Sequence, residues 1–138
     1  MKLYTDIVTD YLAGRSLAAH AQEWFFTQPG YCFQEPDGSD AQKAAVMQVY
    51  EQVLRTVETF VPGNRPVWDA LFPEWQDILR GAETALIVGY SPPNDAVVLK
   101  SPAGVDTAVL DMGLWVQYLG AVPVERVAHN LLTHELCH

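Results

Sequence analysis

The chain has 138 residues, of which 49% are hydrophobic and 18% charged, and its formal net charge is −9. This apolar content is sufficient for one packed domain, and it excludes a chain that is disordered throughout. Its eight Lys and Arg residues form no cluster, so we expect neither nucleic acid nor an anionic membrane surface as a partner.

The amino-terminal residues lack the apolar core of a secretory signal, because Asp6 and Asp10 interrupt them. No stretch of the sequence is apolar for long enough to span a bilayer. We therefore expect a soluble, cytoplasmic protein. The two cysteines, Cys32 and Cys137, lie far apart in the sequence, which indicates reduced thiols rather than a disulfide scaffold.

Residues 1–83 are predicted to be mainly helical. Apolar residues recur at helical spacing over residues 3–13, and Gly14 is expected to end that segment. Ser16 is a suitable cap for a second helix, which we expect to run to Phe26.

A longer helix is predicted over residues 39–61. Ser39 and Gln42 have the spacing of a capping box, and apolar residues then recur along one helical face. Pro62 is followed by glycine and is expected to close this helix. A short helix over residues 73–80 should follow, with its proline in the first turn.

From about residue 84 the sequence has the residue composition that is typical of β-strands. Three β-strands are predicted, at Thr84–Tyr90, Ala96–Lys100 and Asp106–Met112. The connections between them are short and rich in turn residues, which predicts an antiparallel sheet. Residues 113–119 fit a strand and a short helix equally well.

A final helix is predicted from Pro123 to His138, with proline in its first turn and no glycine inside it. Helices, then a small antiparallel sheet, then a helix define an α+β fold. We expect residues 1–83 and residues 84–138 to form one compact domain.

The final helix carries the motif H-E-x-x-H at its end, as His134, Glu135 and His138. Positions four apart in a helix differ by about 40° and one turn, so both imidazoles can reach one cation. Neutral imidazole nitrogen is a preferred zinc ligand. Glu135 is offset around the helix from both histidines, where a carboxylate can accept a proton from the attacking water.

Other positions of this helix fit the same geometry. Leu131 and Val127 fall on the same face as His134, one and two turns earlier respectively, and are expected to bury that face. His129 lies about 140° around the helix from His134. It is therefore predicted to be a surface or capping residue and not a metal ligand.

On residues 131–138 the sequence resembles the zincin metallopeptidases. The order of elements from about residue 84 is similar to bacterial predicted zinc-dependent proteases, in which helices precede a small sheet and the motif helix. This resemblance implies a zinc cofactor, with His134 and His138 as ligands and Glu135 as the general base. It also implies a hydrolase that acts on a peptide or protein substrate.

In this family a strand upstream of the motif helix often forms the sheet edge along which an extended peptide lies. Asp106–Met112 is the candidate for that edge strand. Pairing of this kind uses the main chain more than side chains, so the substrate sequence and the side chains that contact it stay open.

One departure from the family concerns the third zinc ligand. Catalytic zinc takes three protein ligands and leaves one position open for water. Family members take the third ligand from residues after the motif, either a glutamate on a following helix or a further histidine, and no residue follows His138 here. We therefore expect this chain to be the truncated, amino-terminal part of a peptidase, with an incomplete zinc site and no activity alone.

Two alternatives remain open at this point. One is a non-catalytic binding module that retains a zincin-like sheet and helix, which the missing third ligand favours. The other is a helical interaction domain in which residues 1–60 supply the function and the histidines are incidental.

Overall fold

The computed structural model describes residues 1–136, with side chains through His134. It has the predicted α+β fold. One four-stranded sheet is formed by β1 (Lys2–Tyr4), β2 (Glu83–Ile87), β3 (Ala96–Lys100) and β4 (Asp106–Asp111). The α-helices of this range are α1 (Asp6–Leu12), α2 (Asp40–Leu71), α3 (Trp75–Arg80), α4 (Met112–Trp115) and α5 (Val124–Leu136).

The sheet is mixed rather than antiparallel: the predicted antiparallel pairing of the second and third strands is confirmed, but that of the first and second was wrong. Its order is β1-β2-β4-β3, in which only β3 and β4 are antiparallel. Strand β2 does not pair with β3, the next strand in the sequence. It pairs in parallel with β4 and with β1. The physical reason is burial: Thr84–Ile87 is buried on both faces, which is typical of a central parallel strand and not of a hairpin arm.

The amino-terminal segment differs from its prediction in a similar way. Residues 2–4 form β1, and helix α1 begins only at Asp6. Pairing of β1 with β2 satisfies the backbone of this segment and overrides its local helical pattern. Residues 16–26 form two short 3-10 helices, Ala18–Gln22 and Trp24–Phe26, in place of one α-helix.

Helix α2 begins at the predicted cap. The Ser39 hydroxyl accepts a hydrogen bond from the Gln42 backbone N–H at 3.2 Å. The reciprocal bond of a capping box does not form, because the Gln42 side chain donates instead to the carbonyl of Gly113 at 3.3 Å. The Gln42 side chain therefore ties the first turn of α2 to the segment that follows β4.

The predicted end of α2 at Pro62 was wrong, since the helix continues through Pro62 and Pro66 to Leu71. A proline inside a helix costs about 3 kcal/mol because it removes one backbone hydrogen bond. Here the Asn64 side-chain amide donates to the carbonyl of Phe60 at 2.7 Å. The Trp68 ring packs edge-on against Phe60 of the same helix and lies 5.4 Å from the Trp75 ring of α3, so contacts within α2 and with α3 stabilise the extension.

Helix α5 runs alongside α2 in the same direction. Arg55 pairs with Glu125 at 3.4 Å, and further along both helices the rings of Phe60 and His129 lie 5.3 Å apart. Residues 113–119, which the sequence left open, are helical: α4 is followed by a 3-10 turn at Val116–Tyr118. Within residues 1–136, no helix has both the length and the apolarity that a bilayer crossing requires.

The contrast between the two parts of α2 gives a test of this fold. Val53 is fully buried, whereas Val67, on the extension, is 55% exposed. Val53→Ala should lower the free energy of unfolding by about 2 kcal/mol, because it removes buried methyl groups and leaves a cavity. Val67→Ala should change it by less than about 0.5 kcal/mol. Urea unfolding of both variants measures the difference, and equal losses would contradict the exposed extension.

Candidate functional site

The described part of the motif helix extends into the motif. Helix α5 includes His134 and the backbone of Glu135, and the His134 side chain is exposed. His138 and Cys137 lie outside the described residues. The structure therefore places the first motif histidine on a regular helix, and the one-turn spacing to the second remains a prediction from the sequence.

The face of α5 that carries His134 is only half-buried. The fully buried residues of the helix are Val124, Ala128 and Leu132. His134 lies about 120° around the helix from Ala128. Val127 and Leu131, which were expected to bury the histidine face, are partly exposed at the margin of the core. His134 is also about 160° around the helix from Leu132, so at this end of α5 it is turned away from the buried side, and its imidazole is exposed.

The last described turns of α5 lie over the sheet. Leu132, two residues before His134, lines a cavity of about 40 Å³ together with Thr84, Val98 and Ala108. These three residues occupy neighbouring positions on β2, β3 and β4 and face the same side of the sheet. The motif end of the helix therefore lies over a face of the sheet to which β2, β4 and β3 all contribute.

Strand β3 is the sheet edge on this side, which corrects the predicted edge strand. Asp106–Met112 was the candidate, but β4 is central, because it pairs with β2 on one side and β3 on the other. Strand β3 pairs only with β4, and no described residue bonds to the backbone groups on its outer side. Those free N–H and C=O groups can pair with an added extended peptide.

His129 is not placed to join a metal site with His134. Its ring packs at 67° against Phe60, which gives it a structural contact between α5 and α2. The sequence predicted a surface or capping role, and the residue is indeed exposed.

Sequence reasoning missed a buried carboxylate at the end of β4. Asp111 is 1% exposed and accepts hydrogen bonds from the backbone N–H groups of Tyr90 at 2.7 Å and Leu114 at 3.0 Å. A strand that ends in aspartate before a glycine-containing turn is the signal that could have indicated it. The carboxylate caps α4 and holds the chain after β2, so it acts as a structural anchor.

A cavity of about 160 Å³ opens beside this carboxylate, between Glu35, Asp37, Gln42 and Leu114. Burial raises the pKa of Asp111 to about 6, against the opposing effect of backbone donors that include Gly89. These donors fix the orientation of the carboxylate, which supports its structural role.

Among the described residues, no group of three His, Cys, Asp or Glu side chains could hold a metal ion. The third zinc ligand is therefore not identified upstream of the motif, and the roles of His134, Glu135 and His138 remain predictions. Comparison of the chain with protein-family models, curated proteins and solved structures gave no match.

The raised pKa of Asp111 predicts a specific pH dependence. Its ordinary value is 3.8 and its value in the fold is about 6, so the native state binds the proton more tightly. The resulting stabilisation is complete below about pH 4 and is lost as the pH rises through about 6. Relative to Asp111→Asn, the free energy of unfolding of the wild type should therefore fall by up to about 3 kcal/mol over this range.

Urea unfolding at several pH values measures this difference. Below about pH 4, Asp111→Asn should be less stable than the wild type by about 1–3 kcal/mol, because its amide meets backbone N–H groups. Asp106→Asn, at the exposed start of the same strand, is the matched control and should shift stability by less than about 0.5 kcal/mol. A wild-type-to-variant difference that is independent of pH would contradict the assignment.

Proposed function

We propose that this chain supplies the motif helix and the substrate-binding sheet of a zinc-dependent peptidase, within a longer protein. The observation that carries the proposal is the placement of the motif helix. Its last described turn, at Leu132, lies over the face of the sheet, where Val98 of the open edge strand β3 lines the same small cavity. A peptide paired with that edge would run past the end of α5, where His134 and Glu135 are located.

The residues present fit part of a zinc site. His134 is an accessible imidazole on an ordered helix, and His138 follows at the spacing that allows two imidazoles to share one ion. A zinc ion bound there would polarise the scissile carbonyl and lower the pKa of the attacking water. The third ligand would come from residues of the longer protein.

Glu135 is proposed to accept the proton of the attacking water. A carboxylate directly after the first ligand is offset around the helix by about 100°, so it does not compete for the metal. The same group can then return the proton to the leaving amine. His134 and His138 hold the metal, and Glu135 moves the proton.

The edge strand β3 is proposed to hold the substrate in an extended conformation. Its outer N–H and C=O groups can form backbone hydrogen bonds with any peptide sequence that avoids proline at paired positions. This mode of binding recognises a main chain, so it supports a peptide or protein substrate. The alternative of a non-catalytic module would use the same edge for binding and leave Glu135 without a role.

For the isolated 138-residue chain we expect no tight zinc binding, because two ligands do not complete a catalytic site. Equilibrium dialysis with zinc, followed by metal analysis, measures the stoichiometry. Stoichiometric zinc that is retained after dialysis and lost in His134→Ala would contradict the incomplete site. His129→Ala is the matched control. His129 is on the same helix as His134, but its ring packs against Phe60 of α2.

In a longer protein that continues past His138, Glu135→Gln should retain zinc and lose hydrolysis. The amide is not a proton acceptor, and position 135 is not a ligand. His138→Ala should lose both zinc and hydrolysis, whereas His129→Ala should keep both. Zinc content and peptide hydrolysis are measured together on the three variants.

Two outcomes separate the alternatives. Near wild-type hydrolysis by Glu135→Gln would exclude Glu135 as the general base. Peptide binding without hydrolysis in the wild-type longer protein, with or without zinc, would support the binding module instead.

A further inference from the structure

A second surface lies away from the sheet edge, in the groove between the extension of α2 and helix α3. We call it the α2–α3 groove. It encloses about 310 Å³ and is lined by Val61, Arg65, Trp75, Leu79 and Arg80, together with Met1 and Gln76. Neither the motif nor strand β3 contributes a residue to it, so the proposed peptidase does not use it.

The floor of the groove is apolar and rigid. Trp75 is 5% exposed, and its ring lies 5.4 Å from that of Trp68. Its indole N–H donates to a carboxylate oxygen of Asp69 at 2.8 Å, which fixes the ring orientation. Val61 and Leu79 complete the apolar lining. A ligand body can pack on this floor without the cost of ordering it.

The rim of the groove is positively charged. The Arg65 guanidinium lies over the Trp75 ring at 5.7 Å, and the Arg80 side chain is 76% exposed. No acidic residue is among those that line the groove in the described chain. Two of only eight basic residues, in a protein of net charge −9, thus meet at one apolar cavity.

Two acidic residues are near this groove: Asp69 accepts the hydrogen bond of the Trp75 indole, and Asp77 is beside Arg80. The Asp77 carboxylate pairs with Arg80 at 3.2 Å, and both side chains are exposed. An exposed pair of this kind is worth about 0–1 kcal/mol, so an incoming anion can displace it. Arg65 lies over the indole and has no hydrogen bond or ion pair with another described residue, so its guanidinium can donate to a carboxylate.

We propose that the α2–α3 groove binds a small organic anion, a carboxylate attached to an apolar or aromatic body. The carboxylate pairs with Arg65 and Arg80, and the body packs on Trp75 and Leu79. The volume is at the lower end of the range for small-molecule sites, about 300–1,000 Å³. The ligand therefore has about the size of one aromatic ring joined to a carboxylate by a short chain.

The test uses 3-phenylpropionate as the probe and the full 138-residue chain. The indole N–H signal of Trp75, assigned with Trp75→Phe, should shift saturably in a ¹H–¹⁵N NMR titration. The neutral analogue 3-phenylpropanamide has nearly the same shape and should bind at least about tenfold more weakly, because it lacks the charge. Inorganic phosphate should also bind more weakly, because it has no apolar body.

Variants assign the site. Arg65→Gln and Arg80→Gln should each weaken 3-phenylpropionate binding about tenfold. Arg126→Gln, an exposed arginine of α5, is the matched control and should leave binding unchanged. Asp77→Asn should tighten binding about two- to fivefold, because it frees Arg80. This gain cannot arise from a folding defect.

The proposal is overturned by an absence of saturable shifts at Trp75. It is also overturned if the amide or phosphate binds as tightly as the carboxylate, or if Arg126→Gln weakens binding as much as Arg65→Gln does. The last result would indicate general charge attraction rather than a site.

Discussion

The structure depends on strand β4, which pairs with β2 in parallel on one side and with β3 in antiparallel on the other. Because β4 occupies the centre, β3 is placed at the edge and its outer backbone groups stay free. The same strand ends in Asp111, whose buried carboxylate holds the chain that leaves β2 and the chain that enters α4. The position of β4 thus leaves β3 as an edge strand, and its last residue anchors the segments that follow β2 and β4.

The helical layer is organised by the parallel packing of α5 on α2. A series of ring contacts links the two helices and continues to α3: His129 packs on Phe60, Phe60 on Trp68, and Trp68 on Trp75. Each step places rings about 5 Å apart, at angles that favour aromatic attraction. The series accounts for the continuation of α2 through two prolines, and it aligns Trp75 under Arg65.

These two sets of contacts give the protein two separate surfaces with different chemistry. The sheet edge at β3 has free backbone groups, for which we propose an extended peptide, while the α2–α3 groove has an indole and two arginines, for which we propose a compact anion. The acidic balance of the whole chain makes the second surface distinctive. The helical layer, with Phe60 and Trp68 at its centre, connects the surfaces physically.

The sequence alone determined the α+β class, the three strands after residue 83, the cap of α2 at Ser39 and the helix that carries the motif. These features depend on local patterns: hydrophobic period, turn residues and capping side chains. The motif residues were proposed from their spacing in the sequence, and their roles remain predictions. Their chemistry is a property of residue type, which needs no tertiary information to propose.

Only the tertiary structure decided which strands pair, where α2 ends, and which residues meet across the chain. Residues 2–4 became a strand because β2 offered them a partner, and α2 continued past Pro62 because Trp68 found Phe60 and Trp75. Arg65 and Arg80 are fifteen positions apart and form no motif, so their shared groove is invisible in the sequence. The physical reason is that pairing and burial depend on contacts between distant segments, whose free energies exceed the local preferences that a sequence pattern records.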